Sequence, residues 1–212
     1  NGGYNEAINR LNEKALMFVP SGPGLSTLGK DIRYTDIFHK CDFAIPDSGY
    51  MIILLKWIKG IKLTKFSGYE FLYHFFRREQ LEEGDLFLID PSVKESNINN
   101  KYLNQIGIPI KLSYHYVAPI YDNDEIKDSV LIKQLHDLKK KPKYIMINLG
   151  SNVQEPLGVY LKQNLNFSSG IFCTGAAISF FTGTQTILPR LIDKLYLGWM
   201  WRCFSNPRIF IS

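Results

Sequence analysis

The most informative part of this sequence is the run Lys143-Tyr-Ile-Met-Ile-Asn-Leu-Gly-Ser-Asn-Val-Gln-Glu-Pro-Leu-Gly-Val-Tyr-Leu161. Residues 144–148 form a short, mostly apolar segment between Pro142 and Gly150. Such a segment is typical of a central parallel strand that is covered on both faces. The run therefore predicts a buried strand, a tight glycine turn and the start of a helix.

Polar residues crowd the end of this predicted strand, namely Ser151, Asn152, Gln154 and Glu155. In open α/β sheets, ligands bind in the crevice beyond the carboxyl ends of the strands, which is where these residues fall. The same residues also fit a helix start, with Ser151 or Asn152 as the cap and Glu155 completing a capping box. Both interpretations remain open at this point.

Apolar runs of strand length alternate along the chain with segments of helical spacing. The predicted strands are residues 15–19, 43–45, 86–89, 108–112, 144–148 and 171–174. Alternation of this kind predicts a mostly parallel sheet with right-handed crossovers, which is an α/β fold of the Rossmann-like three-layer sandwich type. We expect one such domain over residues 1–188, followed by a C-terminal helical appendage at 189–212.

Composition and charge restrict the class of protein. A chain of 212 residues with 45% hydrophobic content can bury one good core. Its longest apolar run, residues 44–61, is interrupted by charges and falls short of a membrane span. Three dispersed cysteines indicate a reducing cytoplasm and argue against structural zinc.

A net charge of +5 and a pI near 9.0 favour an anionic partner, which could be phosphate, nucleic acid or a lipid headgroup. No RNP, zinc-finger or helix-turn-helix signature is present, so nucleic acid is not predicted.

Two predicted strands end in segments that could carry chemistry. Residues 20–26 form a glycine-rich turn that could present backbone N–H groups to a phosphate or simply reverse the chain. It has neither a Walker pattern nor G-x-G-x-x-G. Asp47 follows the second strand and either caps the next helix or stands in the crevice as a base.

Four separated segments, in this order, resemble the WecG/TagA/CpsF glycosyltransferases. They are Cys41-Asp-Phe-Ala-Ile-Pro-Asp-Ser-Gly49, Lys65-Phe-Ser-Gly-Tyr-Glu-Phe-Leu72, Gly150-Ser-Asn-Val-Gln-Glu155 and Leu197-Gly-Trp-Met-Trp-Arg-Cys-Phe-Ser-Asn-Pro-Arg208. The resemblance implies transfer of an N-acetylmannosamine-type sugar from a UDP donor to a polyprenyl-diphosphate-linked acceptor, in cell-surface polysaccharide synthesis.

The resemblance also assigns roles to residues. It places the general base at Asp47 and puts Lys65 near the diphosphate, where the family has an Arg; a surface lysine is the alternative for Lys65. Gln154 and Glu155 are expected to bond the nucleotide, and Ser21 to touch acceptor or phosphate. No carboxylate pair suited to Mg²⁺ follows an apolar strand, so we expect neither a cofactor nor a required metal.

The chain departs from the family pattern at several positions, which indicates a divergent member. The replaced positions include Ser48, Lys65, Glu70, Asn152, Ser179, Gly198 and Ile209. Donor sugar and acceptor are therefore not fixed by the resemblance.

The segment 189–212 is rich in aromatic and basic residues, with Arg202 and Arg208 at basic positions that match the family and are expected to contact substrate. Aromatic and basic side chains on an amphipathic helix suit the headgroup level of an anionic membrane. We therefore expect a cytoplasmic protein bound peripherally to the inner face of the cell membrane. The alternative is an ordinary core helix.

Two other functions share this predicted fold. A non-catalytic nucleotide-sugar-binding protein is suggested by the replacements at Ser179 and Gly198, whereas the presence of Asp47 favours an enzyme. A dinucleotide-dependent oxidoreductase needs a glycine fingerprint after the first strand, and Pro20 and Pro23 interrupt that loop.

Overall fold

The computed structural model describes residues 3–20, 22–47, 52, 56–60, 66–121 and 126–185. Six parallel strands form a single sheet in the order β2-β1-β6-β5-β3-β4. The strands are β1 Leu16–Phe18, β2 Phe43–Ala44, β3 Leu86–Asp90, β4 His115–Val117, β5 Tyr144–Ile147 and β6 Gly170–Cys173. The predicted α/β fold with a parallel sheet is confirmed.

Seven α-helices and two 3₁₀ segments are described around this sheet. The α-helices are α1 Tyr4–Asn12, α2 Gly22–Thr27, α3 Ile32–Phe38, α4 Gly68–Arg78, α5 Val93–Gln105, α6 Ser129–Asp137 and α7 Gln154–Asn164. The 3₁₀ segments are Leu112–Tyr114 and Gly175–Phe180. Four of the helices have an N-cap side chain that accepts hydrogen bonds from backbone N–H groups of the first turn. The capping residues are Asp31, Ser67, Ser92 and Asp128.

Helices cover both faces of the sheet, and the alternation of side chains along β6 shows it. Phe172 points to one face, where it contacts Phe71 and Phe75 of α4. Cys173 points to the other face, where Gly158 of α7 lies so close that an added Cβ would stand 3.0 Å from the sulfur. The result is the three-layer arrangement predicted from the sequence.

One predicted strand is wrong. Residues 108–112 were expected to pair in the sheet, but the strand lies later, at His115–Val117. Ile108 and Ile110 are buried and Pro109 is exposed, so the segment alternates as a strand does. It makes no ladder in the sheet, and Pro109 has no N–H to donate to one.

The strand order places a topological switch point between β3 and β5. The connection from β3 leads outward to β4, whereas the connection from β5 leads in the opposite direction to β6. Loops that depart in opposite directions leave a crevice between the two strands at their carboxyl ends. The sheet therefore has its principal crevice beyond Asp90 and Ile147. The C-terminal appendage expected at 189–212 lies outside the described residues.

Candidate functional site

Polar residues stand at the carboxyl ends of three neighbouring strands. Asp90 ends β3, Asn148 follows β5 and Thr174 follows β6. The ladder pairs Ile89 with Ile147, and Ile147 with Cys173, so Asp90, Asn148 and Thr174 stand in adjacent register. Side chains in register on parallel strands point to the same face. A row of polar groups therefore crosses the crevice.

Asp90 and Asn148 are joined by a hydrogen bond in the middle of this row. The Nδ2 of Asn148 donates to Oδ1 of Asp90 at 2.8 Å. The Nδ2 of Asn99, on α5, donates to the same oxygen at 2.8 Å. Asp90 is fully buried, and the side chains of Asn99 and Asn148 are buried with it. Two amide donors on one carboxylate oxygen hold both amides in fixed orientation.

Several buried polar atoms in and next to the row have no hydrogen-bond partner within the described part of the chain. They are Oδ1 of Asn148, Oγ1 of Thr174 and Oδ2 of Asp90, together with Nε2 of nearby His115. The Nδ1 of His115 contacts Oγ of Ser96 at 3.1 Å and lies 3.7 Å from Oδ2 of Asp90. A buried polar atom without a partner costs about 1–3 kcal/mol. Concentration of such atoms at one edge is typical of a ligand site.

A cleft of about 150 Å³ opens beside this row. Its lining combines amide and carboxylate groups with an apolar wall: Pro91, Glu95, Asn99, Asn148, Leu149, Gly150, Ala176, Ile178 and Ser179. A larger cleft of about 330 Å³ lies at the opposite edge, where residues 165–171 lead into β6. Ligands of open parallel sheets bind at the carboxyl edge, so the smaller cleft is the better candidate.

Asp47 lies at the same edge, at the start of α4. Its Oδ1 accepts a hydrogen bond of 3.3 Å from the backbone N–H of Gly68, and the side chain is half-buried. Gly68 packs against Val19 and Ala177, so Asp47 is anchored next to the 3₁₀ segment that also lines the cleft. Asp47 is thus a half-buried carboxylate at the carboxyl edge of the sheet, next to the 3₁₀ segment that follows β6.

Gln154 and Glu155 are buried and organise the turns around the crevice. The Oε1 of Gln154 accepts from the backbone N–H of Gly175 at 2.8 Å, and its Nε2 donates to Oε1 of Glu155 at 3.1 Å. The Oε2 of Glu155 accepts from the backbone N–H of Asn152 at 2.9 Å. These bonds tie the turn at 150–152 to the turn after β6.

The expected helix cap is only partly present. α7 begins after Val153, which makes no side-chain cap bond. Glu155 supplies one half of a capping box through Asn152, whose φ of 70° lies in the left-handed region. Asparagine tolerates that conformation better than most residues do. The turn is therefore built by Asn152 and Glu155 together.

Burial raises the pKa of the Glu155 carboxyl above its ordinary range, and the hydrogen bonds from Gln154 and Asn152 only partly oppose the shift. Burial also raises the pKa of Tyr34, with the charge of Glu155 next in importance. An added Cβ at Gly24 would stand 2.7 Å from the Tyr34 hydroxyl oxygen and 3.5 Å from Cβ of Ser151. Gly24 lies in α2, so most of the segment expected to form a glycine-rich turn at 20–26 is helical instead, and α2 meets the turn after β5.

Four predicted site residues, Ser21, Lys65, Arg202 and Arg208, lie outside the described residues. Sequence reasoning missed Asp90, Asn99 and Asn148. The signal available was a carboxylate and an amide, each at the end of an apolar strand, but their contact depends on β3 and β5 being neighbours.

Within the described residues, no group of three or more His, Cys, Asp or Glu side chains could hold a metal ion. Among the described helices, none combines the length and the hydrophobicity needed to cross a bilayer.

A parallel three-layer sandwich with a polar crevice at its switch point defines an α/β protein of the Rossmann-like type. The chain matches the Glycosyl transferase WecG/TagA/CpsF family over residues 3–212 and belongs to that family. Membership implies a glycosyltransferase of cell-surface polysaccharide synthesis. No curated protein sequence matches the chain significantly.

Proposed function

We propose that this protein transfers a sugar, N-acetylmannosamine or a related one, from a UDP donor to a polyprenyl-diphosphate-linked acceptor. The observation that carries the proposal is family membership across residues 3–212. The polar crevice at the switch point supports it, because that is where a nucleotide-linked donor binds in open parallel sheets.

In this proposal Asp47 is the general base. It takes the proton of the acceptor hydroxyl as that oxygen bonds to the anomeric carbon, while the bond to the diphosphate breaks and UDP leaves. Its half-buried position beside the 3₁₀ segment supports the role, since a base must reach the acceptor. Gly68 holds one oxygen of the carboxylate, which fixes its orientation.

The remaining roles concern the donor. Gln154 and Glu155 present the turn at 150–152 to the nucleotide through the hydrogen bonds that tie it down. Lys65 neutralises the leaving diphosphate, Arg202 and Arg208 contact substrate, and Ser21 touches acceptor or phosphate. Transfer proceeds without a required metal, so an excess of EDTA should leave turnover unchanged.

The direct test is release of UDP from a panel of UDP-sugars, with and without a polyprenyl-diphosphate-linked acceptor. The proposal predicts acceptor-dependent release from at least one N-acetylhexosamine donor. Binding without release would favour a non-catalytic nucleotide-sugar-binding protein. That alternative has one specific observation behind it: Ser179, one of the positions at which the chain departs from the family pattern, lines the cleft.

We also propose that segment 189–212 brings the enzyme to the inner face of the cell membrane. Basic side chains near an anionic surface contribute about 1 kcal/mol each, and the segment carries Arg190, Lys194, Arg202 and Arg208. Flotation with anionic liposomes in low salt should carry the intact chain, and a chain ending at Leu188 should float less. Failure of both chains to float would contradict the membrane role.

A further inference from the structure

The cleft between β3 and β5 has a composition that selects among ligand groups. Its described lining contains no Lys or Arg and includes one carboxylate, Glu95. A phosphate or a carboxylate-bearing sugar would be repelled there, because nothing in this lining compensates its charge. Hydroxyl and amide N–H donors suit the lining, and Leu149, Ala176 and Ile178 supply an apolar wall.

Asn148 is the residue whose side chain can recognise such a ligand in the cleft. Its Nδ2 is committed to Asp90, which sets the amide orientation and assigns its free oxygen as the acceptor. That oxygen, Oδ1, is buried without a partner within the described chain. A ligand hydroxyl or amide that donates to it would remove the cost of leaving it unpaired.

Asp90 and Asn99 support Asn148 without needing to touch the ligand themselves. Asn99 reaches Asp90 from α5 and shares the same carboxylate oxygen with Asn148. α5 is fixed in turn by Ser92, whose hydroxyl accepts from the backbone N–H of Glu95 and donates to its carboxylate. The acceptor of Asn148 is thus held by packing and hydrogen bonds on both sides.

We propose that this cleft is the subsite for the donor sugar, that it takes a neutral sugar, and that Asn148 is a specificity-determining residue with Asp90 and Asn99 as positioning residues. The inference rests on the proposed function and extends it to the class of sugar. The apolar wall faces one side of the sugar ring, and Asn148 accepts from a hydroxyl or acetamido N–H on its edge.

The test compares the binding of UDP, UDP-N-acetylmannosamine and UDP-glucuronic acid to the full chain by calorimetry. Wild type should bind the neutral UDP-sugar more tightly than UDP-glucuronic acid. Asn148→Ala should weaken binding of the neutral UDP-sugar about tenfold, as loss of one buried hydrogen bond does, and leave UDP binding within about twofold. Asn104→Ala, an exposed asparagine on the same helix as Asn99, is the control and should change neither.

Two further variants test the same subsite without changing Asn148, so the test does not depend on whether Asn148→Ala folds. Ala176→Leu fills the cleft from an exposed position and should weaken binding of the UDP-sugar but not of UDP. Glu95→Gln keeps an acceptor for the Ser92 hydroxyl and removes the negative charge, so the variant should discriminate less strongly against UDP-glucuronic acid than wild type does.

The outcomes separate the inference from the proposed function. Equal loss of UDP and UDP-sugar affinity in Asn148→Ala would place the nucleotide, not the sugar, in the cleft. The subsite would be overturned if Asn148→Ala and Ala176→Leu both bound the UDP-sugar as wild type does, or if wild type preferred UDP-glucuronic acid. In either case, binding of UDP to the wild type would still support the proposed function. A wild type that binds none of the three ligands would overturn both.

Discussion

At the scale of single residues, Asp47 has one oxygen bonded to the N–H of Gly68, and an amide oxygen can replace that acceptor. Asp47→Asn should therefore fold normally and bind UDP, but lower turnover by about 10²-fold or more, because the base is lost. UDP release at saturating donor, together with UDP affinity, measures the two effects separately. Asp36→Asn, at an exposed position on α3, is the control. Turnover like that of wild type in Asp47→Asn would remove Asp47 from the base role.

Glu155 gives a prediction about pH and stability. Because burial raises its pKa, the native state retains this proton to a higher pH than the unfolded chain, whose Glu pKa is about 4.3. Stability from this group is fully present below the unfolded pKa and falls as pH rises through the native pKa. Glu155→Gln removes that fall.

The difference in unfolding free energy between Glu155→Gln and wild type should therefore shift in favour of the variant as pH rises. Urea unfolding from about pH 4 to about pH 8 measures it. Glu13→Gln, at an exposed position, controls for the loss of one negative charge. A difference that stays constant with pH, or that shifts towards wild type, contradicts the buried titration.

The site could be predicted from sequence only in part. Asp47, Gln154 and Glu155 were predicted because each follows an apolar strand. The structure places them at the carboxyl edge of the sheet, and their roles stay predictions. Contact between Asp90 and Asn148 could not be found this way, because it joins residues 58 positions apart through a strand order that the sequence does not state. Burial of Gln154 and Glu155 likewise depends on packing from other elements.

At the scale of elements, the five correctly predicted strands share a dense apolar run, and β1, β3, β5 and β6 are buried throughout. The misplaced strand shows the limit of such patterns, since Ile108 and Ile110 alternate in burial without pairing. α5 buries a face that is partly polar, with Ser96 and Asn99 beside Leu103. Polar burial on that face is explained by the hydrogen bond from Asn99 to Asp90.

Gly170 tests how tightly α1 is packed against the start of β6. An added Cβ there would overlap the carbonyl oxygen of Leu11, a backbone atom that cannot move aside by rotating a side chain. Gly170→Ala should therefore lower the free energy of unfolding by about 1–3 kcal/mol. Gly150→Ala is the matched control, because nothing lies within 4 Å of its added Cβ. Equal stability of the two variants in urea would show that this contact is not tight.

At the scale of the whole molecule, the sheet has two edges with a cleft at each. The carboxyl edge carries the switch point, Asp47, the Asp90–Asn148 pair, α2 after β1 and the turns after β5 and β6. The amino edge carries the larger cleft, lined by Lys14, Lys162 and residues 165–169 with Ile171. Two lysines could attract a phosphate there, so each edge has a feature that suits part of a nucleotide-linked donor.

Hydrogen exchange with and without UDP-N-acetylmannosamine distinguishes the two edges. Donor binding at the switch point predicts slower exchange at 148–155 and 174–179, with residues 165–169 unchanged. Exchange that slows only at 165–169 would place the nucleotide at the amino edge of the sheet and contradict donor binding at the switch point. Protection confined to residues 20–26 would also contradict it, because these residues follow β1 and not β3 or β5.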